Sequence, residues 1–109
     1  MSNSDAELTS RLAAQFALLA DPLRLQIVRA LAVEQLCTCH LMTITGAKQT
    51  TVSHHLRLLR EAGAVSAEAD GRFTWYRLEP GAFAEALPEL RDLASRAPHA
   101  TRQRPACAA

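Results

Sequence analysis

The sequence is short of several things, and each shortage removes a class of explanation. Aromatic side chains make up only 5% of its 109 residues, so a core must be built mostly from Leu, Ala and Val. No apolar run reaches the roughly 20 residues that a membrane span needs. The opening "MSNSDAELTS" has neither the basic nor the apolar region of an export signal. The expectation is therefore a cytosolic chain with reduced thiols and no membrane partner. Cysteines number three, an odd count that does not make a disulfide framework. The formal net charge of +1 points to no partner by itself. A phosphate loop, a CxxC redox pair and a positioned Ser/His/Asp set are all missing, which argues against an enzyme.

What is present is periodic. Hydrophobic residues make up 49% of the chain, enough for one domain core, and domains of this size often complete their burial by dimerising. Leu8, Leu12, Phe16 and Leu19 recur at helical spacing and predict a first helix running to about Ala20. Asp21 followed by Pro22 reads as an N-cap and first helical residue. Leu23, Ile27, Val28 and Leu31 give that second helix its apolar face. After Cys37 and Cys39, "HLMTITGA" predicts a short helix ended by Gly46.

The most informative stretch is "KQTTVSHHLRLLREAG". With Val52 at 0° on a helical wheel, Leu56 and Leu59 fall within about 40° of it. Gln49, Thr50, Ser53, His54, Arg57 and Arg60 occupy the opposite arc, at about 60° to 200°. One stripe is to be buried; the other is a face of hydrogen-bonding and basic groups. His55 lies at the edge of the buried stripe and reads as a packed or hydrogen-bonded residue. Next, "AVSAEADGRFTWYRL" predicts a β-hairpin, with Asp70-Gly71 as its two-residue turn. A last helix is expected after Pro80, with Phe83, Leu87, Leu90 and Ala94 on its apolar face and Pro88 as an interruption. The expected fold is mainly α with a β-hairpin wing: a dimeric winged helix-turn-helix of order α-α-α-α-β-β-α. The domain covers residues 1–94. Residues 95–109, poor in apolar side chains, are expected to form a disordered tail carrying Cys107.

The polar arc carries residue types that read DNA. Gln pairs with adenine and Arg with guanine, while Ser and Thr reach bases or phosphates. Recognition comes from the N-terminal part of the second helix of such a motif, which here holds Gln49, Thr50, Thr51, Ser53 and His54. Arg57 and Arg60, further along, suit phosphates, and Arg72 at the hairpin tip suits a neighbouring backbone or minor groove. From Lys48 to Arg77 five basic residues stand against three acidic ones, a weak electrostatic footprint in the right place. "QLCTCHL" adds a thiol pair at the start of the short helix. On a regular helix, side chains at i and i+2 diverge by about 200°, whereas in an extended segment they share a side.

Together "LADPLRLQIVRAL", "QLCTCHL", "TTVSHHLRLLREAGAV" and "DGRFTWYRL" resemble the ArsR/SmtB family of metal-sensing winged-helix repressors, over roughly Phe16 to Leu78. The resemblance implies a homodimer built through its first and last helices. It implies a partly palindromic double-stranded operator, and release from that DNA when a toxic metal or metalloid binds. Arsenic-sensing members carry cysteine-valine-cysteine-aspartate at the start of the helix-turn-helix, often with a third cysteine. Cys37 and Cys39 match the two thiols; Thr38 replaces the valine, His40 the aspartate, and Met42 stands where the third cysteine would be. The resemblance thus implies an As(III) or Sb(III) inducer held by Cys37 and Cys39, with Cys107 a candidate third ligand. The Asp-x-His site of the family's Zn, Ni and Co sensors has no counterpart in "AFAEALPELRDLASRAP", and no cysteine precedes Cys37. Cd(II), Pb(II) or Zn(II) is the second choice of inducer. Thiol oxidation, or a repressor with no metal input, remains open.

Overall fold

Asp21 and Pro22 set the frame. In the computed structural model, which describes residues 3–96, Asp21 is extended (φ −88°, ψ 127°) and its carboxylate accepts the Arg24 backbone N–H at 3.0 Å. This cap ends one helix and starts the next: α1 spans Asn3–Leu19 and α2 spans Pro22–Leu31. Helix α3, Thr38–Thr45, is closed by Gly46, whose φ of +72° is the left-handed conformation that suits glycine. Helix α4 follows at once, Gln49–Glu61. The hairpin consists of β1, Val65–Asp70, and β2, Phe73–Leu78, and α5 spans Ala86–Arg96. The order is the one the sequence predicts.

The core follows the predicted stripes. Ile27, Val28 and Leu31 of α2, Leu41 of α3, and Val52, Leu56 and Leu59 of α4 are all buried, together with Leu36, Ala64 and Val65. Burying side chains of this kind contributes about 1.5–3 kcal/mol each. The stripe on α4 therefore fixes which face of that helix remains outward.

Two expectations need correction. The hairpin turn is not Asp70-Gly71. Asp70 pairs with Phe73, so the loop residues are Gly71 and Arg72. Of these two only Gly71 has positive φ (+61°), and a turn with glycine at its first loop position and an ordinary residue at the second twists as antiparallel strands require. Likewise, the last helix does not begin after Pro80. Residues 80–85 form successive turns, with Ala82 N–H donating to Glu79 O and Ala84 N–H to Gly81 O. The helix starts at Ala86, which puts Pro88 third in its first turn. No intrahelical acceptor exists for an N–H at that position, so the proline interrupts nothing.

The apolar face expected on this helix is real but uncovered among the described residues. Leu87, Leu90 and Leu93 are half exposed or more, and α1 buries no residue fully. The two end helices are fastened to each other by polar groups. Arg11 pairs with Glu85 at 3.0 Å, and the Gln15 side-chain oxygen accepts the Ala86 N–H, the first of α5, at 3.1 Å. Ser95 and Arg96 continue α5; the rest of the expected tail, with Cys107, lies outside the described residues.

Candidate functional site

The outward face of α4 presents the predicted set together. Gln49, Thr50, Thr51, Ser53, His54, Arg57 and Arg60 are all exposed, opposite the buried Val52, Leu56 and Leu59. Gln49 is the first helical residue, so the Gln and Thr side chains sit at the end that enters a groove first. Arg57 is held on the surface by His54 Nδ1 at 3.0 Å and lies 4.0 Å from Glu61. Arg72 is exposed at the second position of the hairpin turn, at the tip of the wing.

His55 points the other way. Its side chain is only 12% exposed, and Nδ1 receives an Arg24 guanidinium N–H at 3.3 Å. The same guanidinium donates to the Leu18 carbonyl at 2.9 Å and the Ala17 carbonyl at 3.2 Å, closing the last turn of α1. Burial holds the His55 imidazole below its ordinary pKa; the Asp21 carboxylate opposes this, and Arg24 adds to it. Arg24 thus ties α1, α2 and α4 at one point. The packed role of His55 is readable from the wheel, but the Arg24 link rests on a contact across 31 positions that no local pattern carries.

The thiols have different surroundings. Cys37 is the N-cap of α3, extended (φ −93°, ψ 172°) and 5% exposed; Cys39, two residues on and inside the first turn, is exposed. Both are free, and among the described residues no three His, Cys, Asp or Glu side chains converge as a ready-made metal site. The donor chemistry of two thiols suits a soft, thiophilic metal or metalloid. What separates them in the fold is burial: the Cys37 thiol faces the interior and the Cys39 thiol solvent. Met42, in the place of a third cysteine, packs against the core.

His40 makes contacts beyond its sequence-level part as the aspartate replacement. Its Nδ1 lies 3.3 Å from both the Cys37 backbone nitrogen and Cys37 Sγ. Its ring faces Trp75 of β2 at a centroid distance of 5.9 Å. The three-residue spacing of Cys37 and His40, the interval of a capping box, was the available signal. Beside Cys37, Leu36 exchanges two backbone hydrogen bonds with Tyr76 of β2, at 3.2 and 2.8 Å. The loop carrying the thiols is therefore attached to the wing.

Comparison with known proteins agrees with this geometry. The sequence profile described as "Bacterial regulatory protein, arsR family" matches residues 21–67. The chain is 42% identical over 62 residues to the cadmium resistance transcriptional regulatory protein CadC of Listeria innocua, a match covering 56% of this chain and 52% of that protein. It is also 42% identical over 66 residues to the arsenical resistance operon repressor of Escherichia coli K12, covering 60% and 56%. The chain thus spans about half the length of these curated relatives. In three dimensions it resembles the homodimeric winged helix-turn-helix DNA-binding domain of a Mycobacterium bovis protein, described as a possible ArsR-family regulator. There the TM-score is 0.66 and the identity 30%, over 94% of this chain and 97% of that one.

Proposed function

The chain belongs to the arsR family of bacterial regulatory proteins, and from that membership we propose that it is a homodimeric transcriptional repressor, released from its operator when a thiophilic metalloid is captured by Cys37 and Cys39. The observation that carries this reading is the position of the thiol pair, on the first turn of the helix that leads into the polar-faced α4.

In this reading α4 lies in the major groove. Gln49, Thr50, Thr51, Ser53 and His54 face base edges, Arg57 and Arg60 face phosphates, and Arg72 on the wing reaches an adjacent backbone or minor groove. The half-exposed leucines of α5, with Phe16 of α1, supply an apolar surface for a second copy. A two-fold dimer favours a partly palindromic operator. No helix among the described residues is long and apolar enough to cross a membrane, and the proposed work is done in the cytosol, where thiols stay reduced.

As(III) or Sb(III) is the inducer favoured by a dithiol, with Cys107 as a third sulfur contributed by the tail. One thiol is buried and the other exposed, so a metalloid that takes both sulfurs shifts the start of α3. Helix α3 shares the core with α4 through Leu41 and Val52, so that change disturbs the DNA-reading helix. A soft divalent metal, Cd(II), Pb(II) or Zn(II), is the second reading. Two observations favour it: the equal identity to a cadmium regulator and an arsenical repressor, and the His40 nitrogen beside Cys37 Sγ.

The test is a titration of the protein on duplexes selected from a random pool, with arsenite, antimonite, Cd(II) and Zn(II) in separate arms. Arsenite is expected to weaken DNA binding about tenfold to a hundredfold, a coupling of about 1–3 kcal/mol. Cys37→Ser or Cys39→Ser should keep DNA binding and lose the response, while Cys107→Ser measures the third ligand. Undiminished DNA binding at saturating arsenite, with release by Cd(II), would transfer the site to the divalent reading. No response to any of them would leave thiol oxidation, or no metal input at all, as the surviving alternatives.

A further inference from the structure

We infer that the thiol site signals through the wing as well as through α4, with the His40–Trp75 contact as the coupling and the Leu36–Tyr76 bridge as its backbone anchor; this rests on the function proposed above. The residues flanking the thiols are attached to β2. Leu36, which precedes Cys37, is hydrogen-bonded in both directions to Tyr76. His40, which follows Cys39, meets the Cys37 backbone nitrogen and sulfur on one side and the Trp75 ring on the other. Trp75 in turn lies 6.3 Å, ring to ring, from Phe73, the residue that follows the wing turn. Helix α3 enters the common core further along, at Leu41 and Met42.

The two routes differ physically. Packing in the core that Leu41 and Val52 share is nondirectional and adapts by small side-chain shifts. A paired backbone bridge and a ring contact held by a specific nitrogen are directional, and a rotation of one peptide breaks them. Drawing Cys37 and Cys39 to one side changes the backbone between residues 37 and 39. That is where His40 is held against the Cys37 N–H and where the chain leaves its bridge with Tyr76. His40 therefore leaves Trp75 when the pair closes, and β2, with Arg72 at the turn before it, is freed from the loop. His40 acts here as a positioning residue, not as a ligand.

The chain has a single tryptophan, so its emission reports this contact directly. The experiment titrates the full chain with arsenite while following Trp75 emission, the number of free thiols and the affinity for selected operator DNA. Emission is expected to shift in step with the loss of two thiols. His40→Ala is expected to bind DNA and consume thiols as before, to show no emission shift, and to reduce arsenite-driven release from about tenfold–hundredfold to a few-fold at most. Trp75→Leu should behave like His40→Ala in the release assay, whereas Trp75→Phe, which keeps a ring, should restore release. The inference is overturned if Trp75 emission stays constant while thiols are consumed and DNA is released, or if His40→Ala releases DNA in full. Thiols that stay free at saturating arsenite would remove the function it rests on, and the inference with it.

Discussion

The middle of the molecule and its two ends bury their apolar residues in different ways. From Pro22 to Val65 every predicted apolar stripe finds a partner within the chain, and Ile27, Leu41, Val52 and Leu59 are fully buried. The end helices have apolar stripes just as regular, yet Leu87, Leu90 and Leu93 remain at least half exposed and α1 buries nothing fully. Periodicity shows that a face is meant to be covered. It does not show whether the cover belongs to the same chain.

The largest effect should come from attacking the ends. Leu90→Glu with Leu93→Glu should give a folded monomer by sedimentation, with unchanged helical circular dichroism. Its operator affinity should be lower by on the order of 10²–10⁴, because the second half-site is no longer tethered. Loss of fold instead would place these leucines in the chain's own core and erase the contrast between the regions. Next is the middle. Leu56→Ala should cost about 2–5 kcal/mol in urea unfolding, whatever the oligomeric state. Gln49→Ala is a smaller step, about 1–3 kcal/mol of operator affinity, with relaxed preference at one base position and little change in stability.

The smallest expected effect lies at the joint between the regions, where Arg24 meets His55. The His55 pKa is lowered in the fold, chiefly by burial, so the folded state holds its proton less tightly than the unfolded chain. Its stabilising contribution is complete above the ordinary value of about 6.5 and is lost as pH falls below it, through the lowered folded value. Urea midpoints between about pH 7.5 and pH 5 should therefore decline, and His55→Gln should flatten that part of the profile. An unchanged profile in the variant would show that the joint does not titrate there.

Most of the architecture was legible because it is written locally. Asp21-Pro22, the Val52-Leu56-Leu59 stripe and the alternation around Asp70-Gly71 each declare their element within a few residues. The turn register is one residue further on than Asp70-Gly71 implies, because strand pairing, Asp70 with Phe73, decides it. The start of the last helix is not legible in the same way, because the turns over residues 80–85 precede Ala86 with similar spacing of apolar residues. At the site, the outward set on α4 was readable from the wheel alone. The unequal exposure of Cys37 and Cys39 was not, since tertiary packing sets it, and the neighbouring Leu36–Tyr76 bridge spans 40 positions of sequence. The Arg24–His55 joint was hidden for the same reason.

The cap that Gln15 places on Ala86 bears on kinetics. The end of α5 is held by α1 of its own chain, so the apolar surface has its shape before any second copy arrives. Two such chains can meet as preformed bodies, with little ordering left for the encounter itself. Gln15→Ala should accordingly show itself first as slower assembly from dilute chains, before any loss in the final extent of pairing.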